Sequence, residues 1–206
     1  GLAPLAVLTI FAVPQVALGI ILVRNNEFVS GEDRPVPNSM FRMMSFILRV
    51  REPFKKPMER LQKVGLQEGQ TVLDYGCGIG SYVIPASKIV GASGKVYALD
   101  IQPMAANRVK KRAEKNGLSN VQTIVSHIDT GLPDKSVDVV LLYDVLQMIR
   151  DREGLLQEFH RVLKPSGIVS VDCDHLRPEE VQDVFASTGL FSQVDYENGL
   201  LKFRKL

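Results

Sequence analysis

The fold is decided by nine residues, Val72-Leu73-Asp74-Tyr75-Gly76-Cys77-Gly78-Ile79-Gly80, which join an apolar stretch to a glycine-rich turn. The apolar residues before the turn have the pattern of a short buried strand. Glycines at alternate positions let the backbone bend sharply and bring a ligand against the bare main chain. Residues 81–90 then predict a helix, whose N-terminal NH groups favour an anionic group such as a carboxylate.

Two acids narrow the choice of ligand. A second predicted strand ends at Asp100, twenty residues after Gly80, where a carboxylate can accept hydrogen bonds from both hydroxyls of a ribose. Asp74 precedes the first glycine by two residues, so it would repel a pyrophosphate but suit an ammonium group. The spacing G-x-G-x-G also differs from the G-x-G-x-x-G of dinucleotide sites. A ligand with a carboxylate, an ammonium, a ribose and a base therefore fits better than NAD.

At this point the chain resembles the class I S-adenosylmethionine-dependent methyltransferases, particularly the ubiquinone/menaquinone-methyltransferase-like group. Four blocks carry the resemblance in family order: residues 72–80, Ala98-Leu99-Asp100, residues 131–140 (GLPDKSVDVV) and residues 158–167 (EFHRVLKPSG). The resemblance spans residues 55–206. It implies S-adenosyl-L-methionine as cofactor and a Rossmann-like α/β fold, with a mostly parallel seven-stranded sheet that ends in an antiparallel hairpin.

The alternation of patterns along the chain agrees with that fold. It predicts strands at 71–75, 95–99, 121–125, 137–142 and 168–172, and helices at 58–64, 80–90, 103–116, 151–163 and 178–187. Such alternation favours a mostly parallel sheet covered on both faces. The segments 191–196 and 200–204 predict a terminal hairpin, because an Asn-Gly pair joins them.

The resemblance implies how the cofactor is bound. Asp74 would lie near its ammonium group, Asp100 at its ribose and Ile101 against its adenine. The position at which the family has an acid that binds the adenine amine aligns either with His127 or with Asp129. Ile128 would contact the adenine ring through its backbone NH. Tyr143 follows the fourth strand, at the sheet edge where such folds bind ligands. The predicted cofactor-binding residues are Asp74, Gly76, Cys77, Gly78, Gly80, Asp100, Ile101, Ile128, Asp129 and Tyr143.

Methyl transfer asks little acid–base chemistry of a protein, because alignment and desolvation supply much of the acceleration. A general base matters only if the acceptor must lose a proton. The candidates for catalysis are Asp144, just past the fourth strand, and His175, which follows Asp172 and Asp174 after the fifth. Neighbouring acids raise the basicity of a histidine. The alternative is a hydrogen-bonded loop cluster without a chemical role.

The two cysteines, Cys77 and Cys173, lie in different predicted elements. They offer neither a metal-ligand spacing nor a disulfide framework, so no metal site is predicted. Reduced thiols of this kind suit a cytosolic domain. The net charge of +2 does not indicate a nucleic-acid partner, and none is expected.

The N-terminus differs from the rest of the chain. Residues 2–23 contain no charged side chain, and at ~1.5 Å per residue a helix of this length crosses the ~30 Å hydrocarbon core of a bilayer. Cations follow this segment and none precedes it, which predicts a single-pass membrane protein with a cytoplasmic catalytic domain. A secretory signal peptide and a helix buried in an oligomer are the alternatives. The predicted organisation is an anchor at 1–23, a linker and amphipathic helix at 24–54, and a methyltransferase domain at 55–206.

Residues 39–51 predict an amphipathic helix capped by Ser39, with arginines interspersed among apolar residues. Such a helix can lie in the headgroup region of a membrane, or it can cover the cofactor as a lid. The residues leave both interpretations open.

The function predicted from all of these features is a membrane-tethered S-adenosylmethionine-dependent methyltransferase. The expected acceptor is a small molecule or a lipid-like compound. Tethering through residues 2–23 suggests one that is itself in or at the bilayer, such as a quinone, an isoprenoid or another lipid. A noncatalytic cofactor-binding scaffold is the first alternative, and a nicotinamide-dependent oxidoreductase is the second.

Overall fold

The structure is a computed structural model that describes residues 34–197 and 199–206. Its strands are β1 (Thr71–Tyr75), β2 (Lys95–Asp100), β3 (Val121–Val125), β4 (Val137–Leu142), β5 (Leu163–Asp172), β6 (Phe191–Glu197) and β7 (Leu200–Lys205). They form one seven-stranded sheet in the order β3-β2-β1-β4-β5-β7-β6. Residues 34–147 and 151–206 make up one compact unit.

The pairing of the strands places the ligand-binding edge. β1 lies between β2 and β4 and is parallel to both, with Val72 opposite Val96 on one side and Val139 on the other. β7 pairs antiparallel with both β5 and β6. The prediction of a mostly parallel sheet that ends in an antiparallel hairpin is thus confirmed. Because β1 to β5 run in one direction, their carboxyl ends meet at one edge of the sheet.

Helices α1 (Asn38–Lys55) and α2 (Pro57–Val64) precede the sheet, and α3 (Val83–Val90), α4 (Pro103–Lys115), α5 (Arg152–Val162) and α6 (Pro178–Ala186) alternate with its strands. A 3₁₀ turn covers Leu146–Met148. Alternate residues of β1 face opposite sides of the sheet. Val72 belongs to a buried cluster that includes residues of α2, α3 and α4, whereas the Tyr75 ring lies 5.3 Å from that of Phe159 on α5. Helices therefore cover both faces, as predicted.

Several predicted boundaries differ from those observed. The helix predicted from residue 80 begins at Val83, because the glycine turn continues through positive-φ Gly80. β5 begins at Leu163 rather than 168, and its pairing with β4 shifts register between Val137 and Val139. α1 runs from Asn38 to Lys55 with Pro37 as its N-cap and no side-chain cap. The prediction that Ser39 caps this helix is wrong.

Helix α1 packs over the glycine turn. Its Leu48 Cδ1 lies 3.8 Å from where a Cβ on Gly78 would stand. Glu52 binds Arg112 of α4 at 2.9 Å, and Arg112 in turn donates to the Ile79 carbonyl oxygen. This packing favours the lid interpretation. Met43, Phe46 and Val50 are exposed on α1, and contact of the helix with a membrane surface stays a prediction.

The expected single-pass membrane localisation is corrected. Between residues 34 and 206, leaving out residue 198, no helix combines the length and the apolar character that crossing a bilayer demands. α1 reaches 18 residues but carries Arg42, Arg49, Arg51 and Glu52, and each charge at the bilayer centre is costly. Residues 2–23, on which the expectation was based, lie outside the described residues.

Candidate active site

The glycine turn at the end of β1 is shaped by contacts that exclude side chains. Gly76 and Gly80 have φ values of +75° and +79°, a region that L-residues with a Cβ rarely adopt. An added Cβ would lie 2.9 Å from Val145 Cγ2 at Gly76 and 2.9 Å from Val109 Cγ2 at Gly80. The Gly76 and Cys77 NH groups both donate to the Leu99 carbonyl oxygen. The turn is therefore tied to the end of β2.

Asp100 joins this turn to the next helix. Its Oδ2 accepts from the Gly78 NH and its Oδ1 from the Gln102 NH, each at 2.8 Å. Burial raises the pKa of this carboxyl, and the two backbone donors oppose that rise. Each carboxylate oxygen has a further lone pair. The geometry therefore holds Asp100 in a fixed position and leaves it able to accept ribose hydroxyls.

Asp74 is the buried acid beneath the turn. Its residue is 3 % exposed, and its Oδ2 has no hydrogen-bond partner. Burial, followed by the negative charge of Asp100, raises the pKa of Asp74 to about 7. A buried carboxylate oxygen without a donor is costly. An ammonium group bound here would supply the missing donor and the opposite charge, so this side chain fits the amino-acid end of S-adenosylmethionine.

Other predicted cofactor residues have local partners. Cys77 is buried, and burial followed by the charge of Asp100 raises the pKa of its thiol well above the ordinary value. Tyr143 is also buried, with its hydroxyl 2.8 Å from Ser170 Oγ and its ring against that of Tyr82. The polar end of Tyr143 is thus bound inside the protein. Contact of either residue with the cofactor, like that of half-buried Ile101, stays a prediction.

The loop after β3 was expected to bind the adenine. Asp129 is exposed, and its Oδ1 accepts from the Gly131 NH at 2.9 Å, so one carboxylate oxygen serves a local turn. The His127 carbonyl oxygen accepts from the Tyr75 hydroxyl at 2.9 Å, which attaches this loop to β1. Ile128 lies half-buried between them. Binding of the adenine amine by Asp129, or at the position of His127, stays a prediction.

The structure brings the predicted catalytic side chains together at the carboxyl ends of β4 and β5. His175 Nε2 lies 3.1 Å from Asp144 Oδ1. The Asp144 NH donates to Asp172 Oδ1 at 2.9 Å, and this bond holds Asp144 at a φ of +58°. Backbone held in such a sparsely populated conformation is common at functional sites.

Two cations that the sequence analysis missed complete this cluster. Lys55 Nζ lies 2.9 and 2.7 Å from the two oxygens of Asp144 and 2.7 Å from Asp174 Oδ2. Arg60 of α2 binds Asp174 at 2.9 Å and Asp172 at 3.4 Å. The Lys55–Asp144 pair is 89 residues apart in sequence, so no local pattern signals it. We refer to Lys55, Arg60, Asp144, Asp172, Asp174 and His175 as the rim cluster.

The side chains of the rim cluster have pKa values that are shifted in different directions. Burial would raise the pKa of Asp144, but hydrogen bonds from His175 and Lys55 hold it well below the usual value. Burial and the charge of Asp144 raise the pKa of Asp172 to about 6. The hydrogen bond to Asp144 raises the pKa of His175 against the opposing effect of burial. At neutral pH, Asp144 is therefore an anion.

Oxygens of Asp144, Asp172 and Asp174 lie within 4.8 Å of one another, which is close enough to bind a metal ion. Lys55 and Arg60 already bind these carboxylates and supply the compensating positive charge. We therefore assign no metal to the rim cluster.

The chain is similar to several known proteins. Residues 66–198 match a family described as "Methyltransferase domain". The demethylmenaquinone methyltransferase of Geobacillus stearothermophilus is 31 % identical over 126 residues, which are 61 % of this chain and 54 % of that protein. The sterol 24-C-methyltransferase of Aspergillus fumigatus is 34 % identical over 128 residues, which are 58 % of this chain and 33 % of that protein.

Among solved structures, a SAM-dependent methyltransferase from Aquifex aeolicus is 29 % identical, with a TM-score of 0.69. The match covers 82 % of this chain and 98 % of that one. The chain spans about half the length of the curated demethylmenaquinone methyltransferases that it matches.

Proposed function

The chain belongs to the methyltransferase-domain family, and on that premise we propose that it transfers a methyl group from S-adenosylmethionine to a small apolar acceptor. The observation that carries the proposal is the unpartnered oxygen of buried Asp74 beside the glycine turn. A nicotinamide dinucleotide would bring its pyrophosphate near this acid, where two negative charges repel. The ammonium of S-adenosylmethionine would instead compensate it.

The residues divide the binding of the cofactor among three points. Asp74 would receive the ammonium, the glycine turn would lie along the methionine chain, and Asp100 would accept the ribose hydroxyls. When bound, the cofactor supplies a sulfonium-linked methyl group that is already electrophilic. The protein's part is then to align the acceptor with that methyl group and to exclude water. Leu48 on α1, close to Gly78, contributes to the exclusion.

The relatives support the choice of acceptor class. The names of two of them specify a demethylmenaquinone and a sterol as substrates, both of which are apolar ring compounds. A quinol-type acceptor must lose a proton during transfer, and the rim cluster offers a group to take it. We assign this role to His175, whose side chain is 43 % exposed. Asp144 is held ionised by Lys55 and His175, so its low pKa makes it a poor base and it orients the imidazole instead.

The proposal is tested by incubating the protein with S-adenosylmethionine labelled in its methyl group, in the presence of a total lipid extract. We expect label in the apolar fraction, with quinone and sterol standards identifying the acceptor. Calorimetry with S-adenosylmethionine and with NADH provides the control. Binding of the first without transfer to any extract would support the scaffold alternative and contradict methyl transfer.

The role of His175 predicts a specific pH dependence. The neutral imidazole is the active form, so turnover should rise with pH through a His175 pKa that lies above the ordinary value. His175→Gln should lower kcat by about 10²–10⁴-fold. Asp144→Asn should shift the rise in activity to lower pH, because the imidazolium loses its anionic partner.

His160 provides the control for that experiment. It lies on α5, and its Nε2 is 3.2 Å from the Leu206 carbonyl oxygen. We expect His160→Gln to leave both kcat and the pH profile unchanged. Full activity in His175→Gln would show that the acceptor needs no base or that another group supplies it.

A further inference from the structure

Helix α1 is attached to both halves of the site. Midway along it, Leu48 lies over Gly78, and Glu52 is linked through Arg112 to the Ile79 carbonyl oxygen. At its last residue, Lys55 binds Asp144 and Asp174. One continuous helix therefore extends from the glycine turn to the carboxyl ends of β4 and β5.

The end of α1 is sharply defined. Lys56 adopts a left-handed conformation with a φ of +46°, and Pro57 begins α2. A proline disfavours helical geometry in the residue before it, so the chain turns here rather than extending α1. Arg60 follows one turn later and binds Asp172 and Asp174. Two successive helices thus each donate a cation to the same group of acids.

Lys55 occupies a central place in the rim cluster. Its side chain is 13 % exposed, and its ammonium contacts both oxygens of Asp144. Asp144 Oδ1 is the same atom that lies 3.1 Å from His175 Nε2. When Lys55 is in place, the rotation of the Asp144 carboxylate is restricted, and Oδ1 stays directed at the imidazole.

We propose that Lys55 is a positioning residue that couples closure of α1 over the glycine turn to the orientation of His175 through Asp144. Closing α1 brings Lys55 to Asp144. Asp144 then accepts a hydrogen bond from His175 Nε2–H, which leaves the lone pair of Nδ1 directed away from Asp144 and able to take a proton. The imidazole is thus prepared only when the cofactor end of the site is covered. The inference rests on the proposed function, in which His175 is the proton acceptor.

The groups that face His175 make the inference testable. Asp144 and Asp172 raise the pKa of His175, whereas the charge of Lys55 lowers it. If Lys55 acted only as a nearby charge, its removal would raise this pKa. If it positions Asp144, its removal frees the carboxylate to leave the imidazole, and the pKa falls toward the ordinary value. The two roles therefore predict opposite signs.

The experiment compares Lys55→Met with Lys56→Met in the full chain. Lys56 is 64 % exposed and pairs only with Glu59 among the described residues, so its replacement removes an equal charge without touching the rim cluster. The chain has three histidines, and His175→Gln assigns the His175 resonance in an NMR titration. Hydrogen exchange over 38–55 and the dissociation rate of S-adenosylmethionine are measured on the same variants.

In Lys55→Met we expect a lower His175 pKa, faster exchange along α1 and cofactor dissociation accelerated about tenfold, the effect of losing hydrogen bonds to a charged group. Lys56→Met should give the same values as the unmodified chain. Lys55→Arg should return most of each measured value to that of the unmodified chain. A higher His175 pKa in Lys55→Met, or values equal to those of Lys56→Met, would overturn the inference. None of these measurements requires turnover. They therefore fail or succeed separately from the labelling experiment that tests methyl transfer.

Discussion

At the scale of single residues, the site depends on how buried charges are compensated. Asp74 is buried and Asp144 is partly buried. The pKa of Asp74 is nevertheless raised while that of Asp144 is lowered. Asp144 has Lys55 and His175 as partners, whereas one oxygen of Asp74 has none. The uncompensated acid is the one that fits a cationic ligand, and the compensated acid is the one that organises its neighbours.

The loss of folding stability caused by burying the Asp74 carboxylate should be measurable. Asp74→Asn removes the charge, so it should raise the free energy of unfolding at pH 8 by up to ~4 kcal/mol, the linkage free energy of a carboxyl whose pKa is near ~4 when unfolded and about 7 when folded. An unfolded aspartate ionises near pH ~4, and folded Asp74 ionises at about 7. The unfolded state therefore releases its proton first as pH rises, and stability from this group is lost across that interval. The advantage of the variant should grow from about pH 4 to 7 and then level off.

Urea denaturation at several pH values measures this gain, and calorimetry with S-adenosylmethionine should show weaker binding by the same variant. Asp183→Asn makes the identical chemical change at an exposed position of α6 and should alter neither quantity. A less stable Asp74→Asn variant with unchanged affinity would mean that this acid serves the fold rather than the ligand.

At the scale of elements, the glycine turn and α4 depend on each other. Gly80 combines a positive φ with a close approach to Val109 of α4. The first feature arises from the turn alone, while the second arises only because α4 packs against it. Helix α1 shows the same dependence. Its amphipathic pattern was compatible with two locations, and the position of Leu48 beside Gly78 and the ion pair of Glu52 with Arg112 favour the location over the glycine turn.

A pair of glycine substitutions separates the effect of positive φ in the turn from the effect of packing against α4. Gly117→Ala introduces a Cβ at a φ of +66° with nothing within 4 Å, so it should cost about 1–2 kcal/mol of stability from backbone strain. Gly80→Ala adds the clash with Val109 and should cost a further ~1–3 kcal/mol. Thermal or urea unfolding of both variants measures the difference. Equal losses would show that α4 moves aside freely and that packing does not shape the turn.

At the scale of the whole molecule, the sheet order decides which residues meet. β1 lies between β2 and β4, and β4 pairs with β5. Asp74, Asp100, Asp144 and Asp172 come from or follow these four strands in turn. The glycine turn and the rim cluster therefore lie along one edge of one sheet. α1 reaches both because Leu48, beside Gly78, and Lys55, bound to Asp144, lie on one helix, about 10 Å apart along its axis at ~1.5 Å per residue.

Much of this arrangement was determined by the sequence itself. The glycine spacing, the two acids near it and the alternation of strands with helices are local patterns, and each reflects a local physical constraint. Backbone that must adopt positive φ requires glycine, and apolar periodicity reports burial. The existence of these strands, the mostly parallel sheet with its terminal hairpin and the choice of Asp144 and His175 as catalytic candidates were accordingly predictable from the sequence.

Only the tertiary structure decided that Lys55 and Arg60 bind the acids of the rim cluster, that α1 covers the glycine turn and that hydrogen bonds from His175 and Lys55 lower the pKa of Asp144. These features depend on contacts between residues far apart in the chain, such as the pair Lys55 and Asp144. An ion pair of this kind produces no periodic pattern in the sequence. The residues around a helical lysine are the same whichever acid its ammonium binds in the folded protein. Its energy arises only when folding brings the charges together and removes water from around them.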